Sequence, residues 1–333
     1  MNLRILFIEP FYGGSHKDFA DGLCEASRHT IELYTLPARF WKWRMRGAAL
    51  YFAHEIRDPS SFDLVLTSDL LSISDLKSLW GAASPPIIAY FHENQLSYPV
   101  PQNEERDYHF GFTDITSCLA ADTIVFNSQF HYASFFKELP RFLYKMPEYK
   151  PLWATEEIER KSVVLYPGCR FPDSSNGTAA PLPPGHPWKT EDPVIVWNHR
   201  WEFDKQPAAF FTVLSELDAR NLAFSLAIAG ENFQMLPKPF IQGKQKFNKR
   251  IIQYGYVDSK QEYFSLLCHS DIIISTAIQE NFGISIMEGI YAGCYPLLPN
   301  RLSYPELIPP AFHPACLYET NEELVEKAAF LLR

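Results

Sequence analysis

No run in this 333-residue sequence is long and apolar enough to cross a membrane. The opening stretch, MNLRILFIEP, lacks the extended apolar region of a secretory signal because Glu9 interrupts it. The six cysteines, Cys24, Cys118, Cys169, Cys268, Cys294 and Cys316, form no CxxC pair. Most lie in apolar runs, so they are expected to be reduced core thiols of a cytosolic protein. Asn176-Gly177-Thr178 is a glycosylation sequon, without meaning if the chain is not secreted. No GxGxxG fingerprint is present, which argues against a dinucleotide site. No acidic DxD pair follows a strand convincingly, so metal independence is expected. There is no internal repeat.

What is present describes a globular chain. Its length suggests roughly two domains, and 47% apolar residues with 21% charged can bury a large core. A formal net charge of -9 argues against broad, non-specific nucleic-acid binding. It leaves room for a local basic patch, and Arg39–Gly47, RFWKWRMRG, supplies one. Arg39, Lys42, Arg44 and Arg46 alternate there with Phe40, Trp41 and Trp43. Two readings stand open. At helical spacing Phe40 and Trp43 share a face that packs inward, leaving Lys42, Arg44 and Arg46 outward. Alternatively, the segment is a surface for a polyanion.

Short β-rich runs alternate with helical patterns. LRILFIE, TIELYTL, FDLVLTS, PIIAYFH, DTIVFNS and SVVLYP read as buried strands of a parallel sheet covered on both faces. A stretch rich in Pro, Gly, Ser and Thr follows, and residues 171–192 read as a linker or loop. The alternation restarts with VIVWNH, FSLAIAG, IIQYGYV, DIIISTA and CYPLLP. The expectation is an α/β chain of two Rossmann-like domains, 1–170 and 193–333, facing a central cleft.

Ligands of such sheets bind beyond the strand C-termini, so the residues there are the candidates. After the first strand, Gly13-Gly14 permits close backbone approach and Ser15 is placed to cap the next helix. After the fourth come His92, Glu93, Asn94 and Gln95, four consecutive hydrogen-bonding side chains. Arg200 and Lys205 straddle a strand-to-helix turn, where paired cations can neutralise a diphosphate, although solvated surface cations look the same. In QENFGISIMEGIYAG, Glu280 precedes Asn281-Phe282-Gly283 at a helix start, and Glu288 lies among apolar neighbours. A carboxylate there needs a hydroxyl, an amide or a cation as partner.

Glu280 to Glu288 resembles the E-x7-E motif of retaining family-4 glycosyltransferases of the GT-B fold. Arg200 and Lys205 are similar to the Arg/Lys pair of that family. Ala229–Asn232, AGEN, and Gly255–Val257, GYV, fall at its glycine turn and base-binding loop, with Glu231-Asn232 departing from a further Gly. EPFYGGSHKDF, YTLPARFWKWRMRGAALYF, YFHENQLSYPV, ERDYHFGF and FNSQFHYASF are more specific. They resemble the glycosyltransferase-like domain-containing subfamily that includes tRNA-queuosine α-mannosyltransferases.

That resemblance implies a GDP-mannose donor, queuosine-bearing tRNA as acceptor, retention at the anomeric carbon, and no cofactor, metal or membrane. It implies donor contacts from Gly13, Gly14, Arg200, Lys205, Tyr256, Val257, Glu280, Asn281, Phe282, Gly283 and Glu288. Acceptor contacts are expected from Ser15, His16, Arg39, Lys42, Arg44, Arg46, Asn94 and Gln95. His92, Glu93 and Glu280 are expected at the reacting centre as positioning groups. Two alternatives stay open: a GT-B enzyme using another nucleotide sugar and a small-molecule or lipid-linked acceptor, and a non-catalytic tRNA- or nucleotide-binding protein. Protection by GDP against UDP, and slow hydrolysis of GDP-mannose, discriminate among them.

Overall fold

The computed structural model describes residues 2–100, 105–171, 182–230 and 236–333. The chain divides into two compact units, Met1–Arg170 and Phe171–Arg333. The first unit carries β1 (Arg4–Tyr12), α1 (Gly14–Ala26), β2 (Thr30–Pro37), α2 (Trp41–Glu55), β3 (Leu64–Ser68) and α3 (Ile73–Trp80). It continues through β4 (Ile87–Phe91), α4 (Tyr108–Ala120), β5 (Thr123–Phe126), α5 (Gln129–Tyr144), α6 (Trp153–Glu159) and β6 (Ser162–Val164). Its strands lie in the order β2-β1-β3-β4-β5-β6, every pair parallel.

The second unit runs β7 (Val194–Trp197), α7 (Pro207–Ala219), β8 (Ser225–Ala229), α8 (Lys238–Lys246), β9 (Ile251–Gly255), α9 (Lys260–Cys268) and β10 (Ile272–Ile274). It ends with α10 (Ile284–Ala292), β11 (Tyr295–Pro299), α11 (Tyr304–Leu307), α12 (His313–Cys316), β12 (Leu317–Tyr318) and α13 (Asn321–Leu331). The order β12-β11-β10-β7-β8-β9 is again parallel throughout. In each sheet the chain reverses its direction of growth once. That switch point lies between β1 and β3 in the first unit and between β7 and β10 in the second.

Apolar alternation explains the two faces of each sheet. Leu6 and Ile8 of β1 join the core against α2, α3 and α4, with Phe91 and Phe126 from neighbouring strands. Phe7 meets Phe19 of α1 on the opposite face, with ring centroids 6.1 Å apart. Helix starts follow local chemistry. Ser72, Ser259 and Thr320 accept from the amides of Asp75, Glu262 and Glu323, which puts an acidic residue in each first turn.

The structure revises several sequence expectations. Central strands are buried on both faces, but the edge strands β2 and β9 are half-exposed along their length. β12 is a short strand that two residues of sequence could not announce. Cys118, Cys294 and Cys316 are buried, whereas Cys24, Cys169 and Cys268 are only half-buried; all are free thiols. Within the expected linker, Trp188 packs on the second core and Thr190 bonds Ser225. Residues 172–181 of that segment, with the sequon, lie outside the described residues, as do Glu231 and Asn232.

Candidate active site

In the first unit, four adjacent strands end together and deliver polar side chains to one edge. β1 contributes Glu9, β3 ends in Ser68 and is followed by Asp69, β4 is followed by His92-Glu93, and β5 by Asn127. The loop carrying His92 is pinned by buried groups from its neighbours. Asp69 accepts from the His92 amide at 2.8 Å, the Asn127 side chain donates to the His92 carbonyl at 3.1 Å, and Asp114 of α4 accepts from the Gln95 amide at 2.6 Å. His131 of α5 in turn bonds Asn127 at 2.8 Å. Burial raises the pKa of both Asp69 and Asp114, against their backbone hydrogen bonds.

Asn94 is the loop's own brace. Its side chain accepts from the amides of Leu96 and Ser97, an Asx-type turn, and it is buried. Its side chain, expected at the acceptor, is thus engaged within the loop itself. Gln95 is half-buried and donates to Glu93 at 3.2 Å. Ser15 also departs from expectation. α1 begins at Gly14, its cap is Gly13 without a side-chain bond, and Ser15 is an exposed first-turn residue. Gly13 is required sterically, since a Cβ there would overlap Ala38, and Gly14 takes φ +51°, a left-handed conformation suited to glycine.

His16 of α1 is buried beside this edge. Its Nδ1 lies 3.2 Å from Glu9 Oε1 and its ring lies over His92 with centroids 4.1 Å apart. Burial opposes a charge on His16, but Glu9, with Asp69 and Glu93, outweighs it and raises its pKa to about 9. His92 is pushed the other way, well below the usual range, by burial and then by the charge of His16 and by His131. Among the described residues, Glu9, His16 and His92 are a group with ligand-type atoms all within 4.8 Å of one another. His16 Nδ1 faces Glu9 at ion-pair distance without a hydrogen bond of good geometry, and the raised pKa of His16 beside the lowered pKa of His92 favours an ion pair against a neutral imidazole.

The basic segment is a helix that faces opposite to expectation. Phe40 precedes α2 in a left-handed conformation and is 68% exposed, and Trp43 is 77% exposed. The inward residues are Trp41, against Phe110 with centroids 5.1 Å apart, and Met45. Arg44 is half-buried and donates to the Pro37 carbonyl at 3.2 Å. Arg39, Lys42 and Arg46 are exposed, with Arg46 bonding Thr113 at 3.0 Å. Phe40, in the left-handed conformation, stands outside the helix and so shares no helical face with Trp43.

In the second unit the switch point carries the charge. Lys205, after β7, is 6% exposed and donates to the Gln279 carbonyl at 2.5 Å. Its ammonium lies 3.3 Å from Glu280 and 3.3 Å from Asp204. Burial opposes that charge, yet Glu280 and Asp204 raise the Lys205 pKa above its usual value. Arg200 is exposed and pairs with Glu202 at 3.3 Å. Only Lys205 of the two expected cations is therefore built into the site's interior.

The loop Gln279–Gly283 is turned inward. Asn281 and Phe282 are buried, with Asn281 bonded to Gln279 at 3.1 Å and the Phe282 carbonyl to Ser303 at 2.9 Å. Those two side chains face the protein, so backbone is what they present to a ligand. Gly283, at φ +98°, opens α10, whose first amides face out of the helix. Glu288 accepts from the Tyr263 hydroxyl at 3.2 Å, with Lys260 at 4.0 Å. Asn198, at the end of β7, donates to Tyr263 at 2.8 Å and to the Ser285 carbonyl at 2.8 Å. Tyr256 is exposed and Val257 half-buried after β9. Glu9, Asp69, Asp114, Asn127, Asp204 and Tyr263 escaped the sequence reading. Looking one residue past every strand would have found Asp69 and Asn127.

Two parallel Rossmann-like units with charged switch points define a glycosyltransferase of the GT-B fold. Residues 4–169 match the family described as "tRNA-queuosine alpha-mannosyltransferase N-terminal", and residues 181–333 match "Glycosyl transferases group 1". The chain is 39% identical over 329 residues to the tRNA-queuosine alpha-mannosyltransferase of Drosophila melanogaster, covering 97% of this chain and 85% of that protein. It belongs to that family. Among solved structures it is similar to sucrose-phosphate synthase from Thermosynechococcus elongatus, with TM-score 0.71 and 12% identity over 99% of this chain and 90% of that one. It is also similar to Anabaena Alr3699/HepE in complex with UDP and glucose, with TM-score 0.65 and 14% identity over 100% and 90%.

The Asn198–Tyr263–Glu288 chain ties three elements together in a partly buried network. Tyr263→Phe is expected to lower unfolding free energy by about 1–2 kcal/mol, because it leaves Asn198 and Glu288 each short of a partner. Urea denaturation measures this, and an unchanged midpoint would show that the hydroxyl carries no net bond.

Proposed function

We propose that this glycosyltransferase transfers mannose from GDP-mannose to queuosine in tRNA, with retention at the anomeric carbon, in the cytoplasm and without a metal ion on the diphosphate. The observation that carries the reading is the 39% identity, over 97% of the chain, with the Drosophila tRNA-queuosine alpha-mannosyltransferase. The second unit takes the donor. Lys205, held protonated between Asp204 and Glu280, supplies positive charge where charge builds on the leaving diphosphate, and the first amides of α10 add to it. Arg200, exposed beside it, closes on the phosphates from solvent. Glu280 takes sugar hydroxyls, Glu288 the ribose, and Tyr256 with Val257 borders the base. These cations supply what a divalent ion would otherwise give, which is why metal independence is proposed.

The first unit takes the acceptor. His92 and Glu93, on a loop locked at both ends, position the reacting hydroxyl, and no covalent enzyme intermediate is invoked. Exposed Phe40 and Trp43 offer stacking surfaces, and Arg39, Lys42 and Arg46 offer partners for phosphates.

Incubation with queuosine-containing tRNA and a panel of nucleotide sugars, followed by mass spectrometry of the digested nucleosides, tests the whole proposal. A hexose added only from GDP-mannose is expected; transfer from a uridine donor, or none, overturns it. Glu280→Gln should lower kcat at least about a hundredfold, the usual scale for a missing transition-state interaction, with only a modest drop in thermal unfolding because Asp204 still pairs with Lys205. That variant is cleaner than Lys205→Ala, which would strand the buried Asp204 carboxylate. Chelator should leave the wild-type rate nearly unchanged, and a loss restored by Mn²⁺ would refute metal independence. Arg39→Glu with Lys42→Glu should weaken tRNA binding while sparing donor hydrolysis. The salt slope should shrink by about one for each phosphate no longer neutralised. An unaltered affinity and slope would remove α2 from the RNA surface.

A further inference from the structure

β1 is an interior strand, yet it contains Pro10, which has no amide to give to the ladder. The pairing with β2 slips at this point. Glu9 stands opposite Thr35 and Tyr12 opposite Pro37, so β1 bulges directly after Glu9. The bulge turns the Phe11 amide onto Glu9 Oε1 at 2.9 Å, and the Ser68 hydroxyl donates to the same oxygen at 3.0 Å. Glu9 is fully buried, and among the described residues its Oε2 meets no hydrogen-bond donor. A carboxylate is costly to hold in this way unless a positive charge faces it. The group that faces it is His16.

The neighbours form one layer. Strand alternation puts Phe7 and Glu9 of β1 on the α1 face, and Tyr90 and His92 at the end of β4 on that face too. Phe19, one helical turn beyond His16, stacks on Tyr90 with centroids 4.3 Å apart and meets His92 edge-on at 5.1 Å. His16 lies on His92, and Phe11 closes against His16 at 5.9 Å. The His92 ring is thus set by His16, Phe19 and Tyr90, and His16 is set by Glu9.

We propose that Glu9 is a positioning residue of the transfer reaction: its buried carboxylate fixes the His16 ring, and through His16 it sets the placement and charge state of His92. This rests on the assignment of His92 to the acceptor side of the reaction. The charged and titratable groups around the pair are Glu9 from β1, Asp69 after β3, Tyr90 and Glu93 flanking His92, Asp114 from α4, and His131 from α5. His131 is held neutral by burial, its pKa pushed down to about 3. Of the three rings, His16 is the one whose neighbours favour the charged form, and that charge disfavours a second one on His92. His92 then acts as a neutral imidazole, able to donate from one nitrogen and accept at the other toward a sugar or acceptor hydroxyl.

His16 stays charged below its raised pKa and becomes neutral as pH climbs through about 9. The wild-type rate should therefore hold to about pH 8 and fall beyond it. Glu9→Gln keeps an acceptor for Phe11 and Ser68 but removes the charge, so burial drives the His16 pKa downward. The variant should lose at least about tenfold in kcat at pH 8 with little change in donor KM, and recover most of that loss near pH 6. Carbon and nitrogen NMR of labelled histidine in the free protein should show His16 protonated at neutral pH in wild type and neutral in Glu9→Gln. In a His16→Gln background, adding Glu9→Gln should cost nothing further.

An equal loss at both pH values, additive losses in the double variant, or a neutral His16 in the wild-type spectrum would each overturn the proposal. The NMR titration and the wild-type pH profile stand even if Glu9→Gln does not fold. The spectra need no substrate, so failure to transfer mannose would count against the proposed function and leave the Glu9–His16 pair to be judged by NMR.

Discussion

Parallel pairing has one consequence that a mixed sheet would lack: adjacent strands all finish along the same edge. In both sheets that edge carries the reactive groups, and in both it lies where the chain reverses its direction of growth. Glu9, Asp69, His92 and Asn127 come from four strands, and Lys205 and Glu280 come from the two strands that flank the second switch point. No helix or loop by itself could place them. The ladder brings together residues far apart in the chain, and the loops then need only to be held still.

Burial makes those groups interdependent. A charge removed from water must find a partner, and removing one member of a buried pair costs more than the pair contributes. Lys205 is shared by Asp204 and Glu280, so one buried cation neutralises two carboxylates. Glu9 and His16 repeat the arrangement on the other sheet. The loops follow the same rule for polar groups. The amides of His92 and Gln95, and the carbonyls of Phe282 and Gln279, all end on buried side chains or on Lys205. Such loops cannot drift when a ligand leaves, which suits a site whose work is alignment.

Two kinds of polar surface are separated within the first unit. The sheet edge presents carboxylates and imidazoles in a mostly buried setting. The α2 surface presents exposed aromatics and cations that would be wasteful in a protein with a net charge of -9 unless they had a partner. The helix is anchored from beneath by Trp41, Met45 and Arg44, which leaves the outer face free of structural duty.

The sequence by itself determined the α/β alternation and the glycosyltransferase class, and it singled out Lys205, Glu280 and Glu288 as candidates on the donor side. These depend on local signals: apolar runs with period two, helix caps, and residues at short spacing such as Glu280 and Glu288. It could also locate the basic segment but not its facing, which is set by the packing of Trp41 and Met45 against Phe110 and Leu70. Tertiary structure decided everything that depends on which strands are neighbours. Asp69, Asp114 and Asn127 look like ordinary polar residues until the sheet brings them to the His92 loop. Asn94 looks like a ligand contact until its own turn consumes it. Glu9 reads as an interruption in an apolar run, and its role emerges only when β1, β3, β4 and α1 close around it. Sequence spacing encodes chemistry along the chain, while the strand order that sets chemistry across it is a property of the fold.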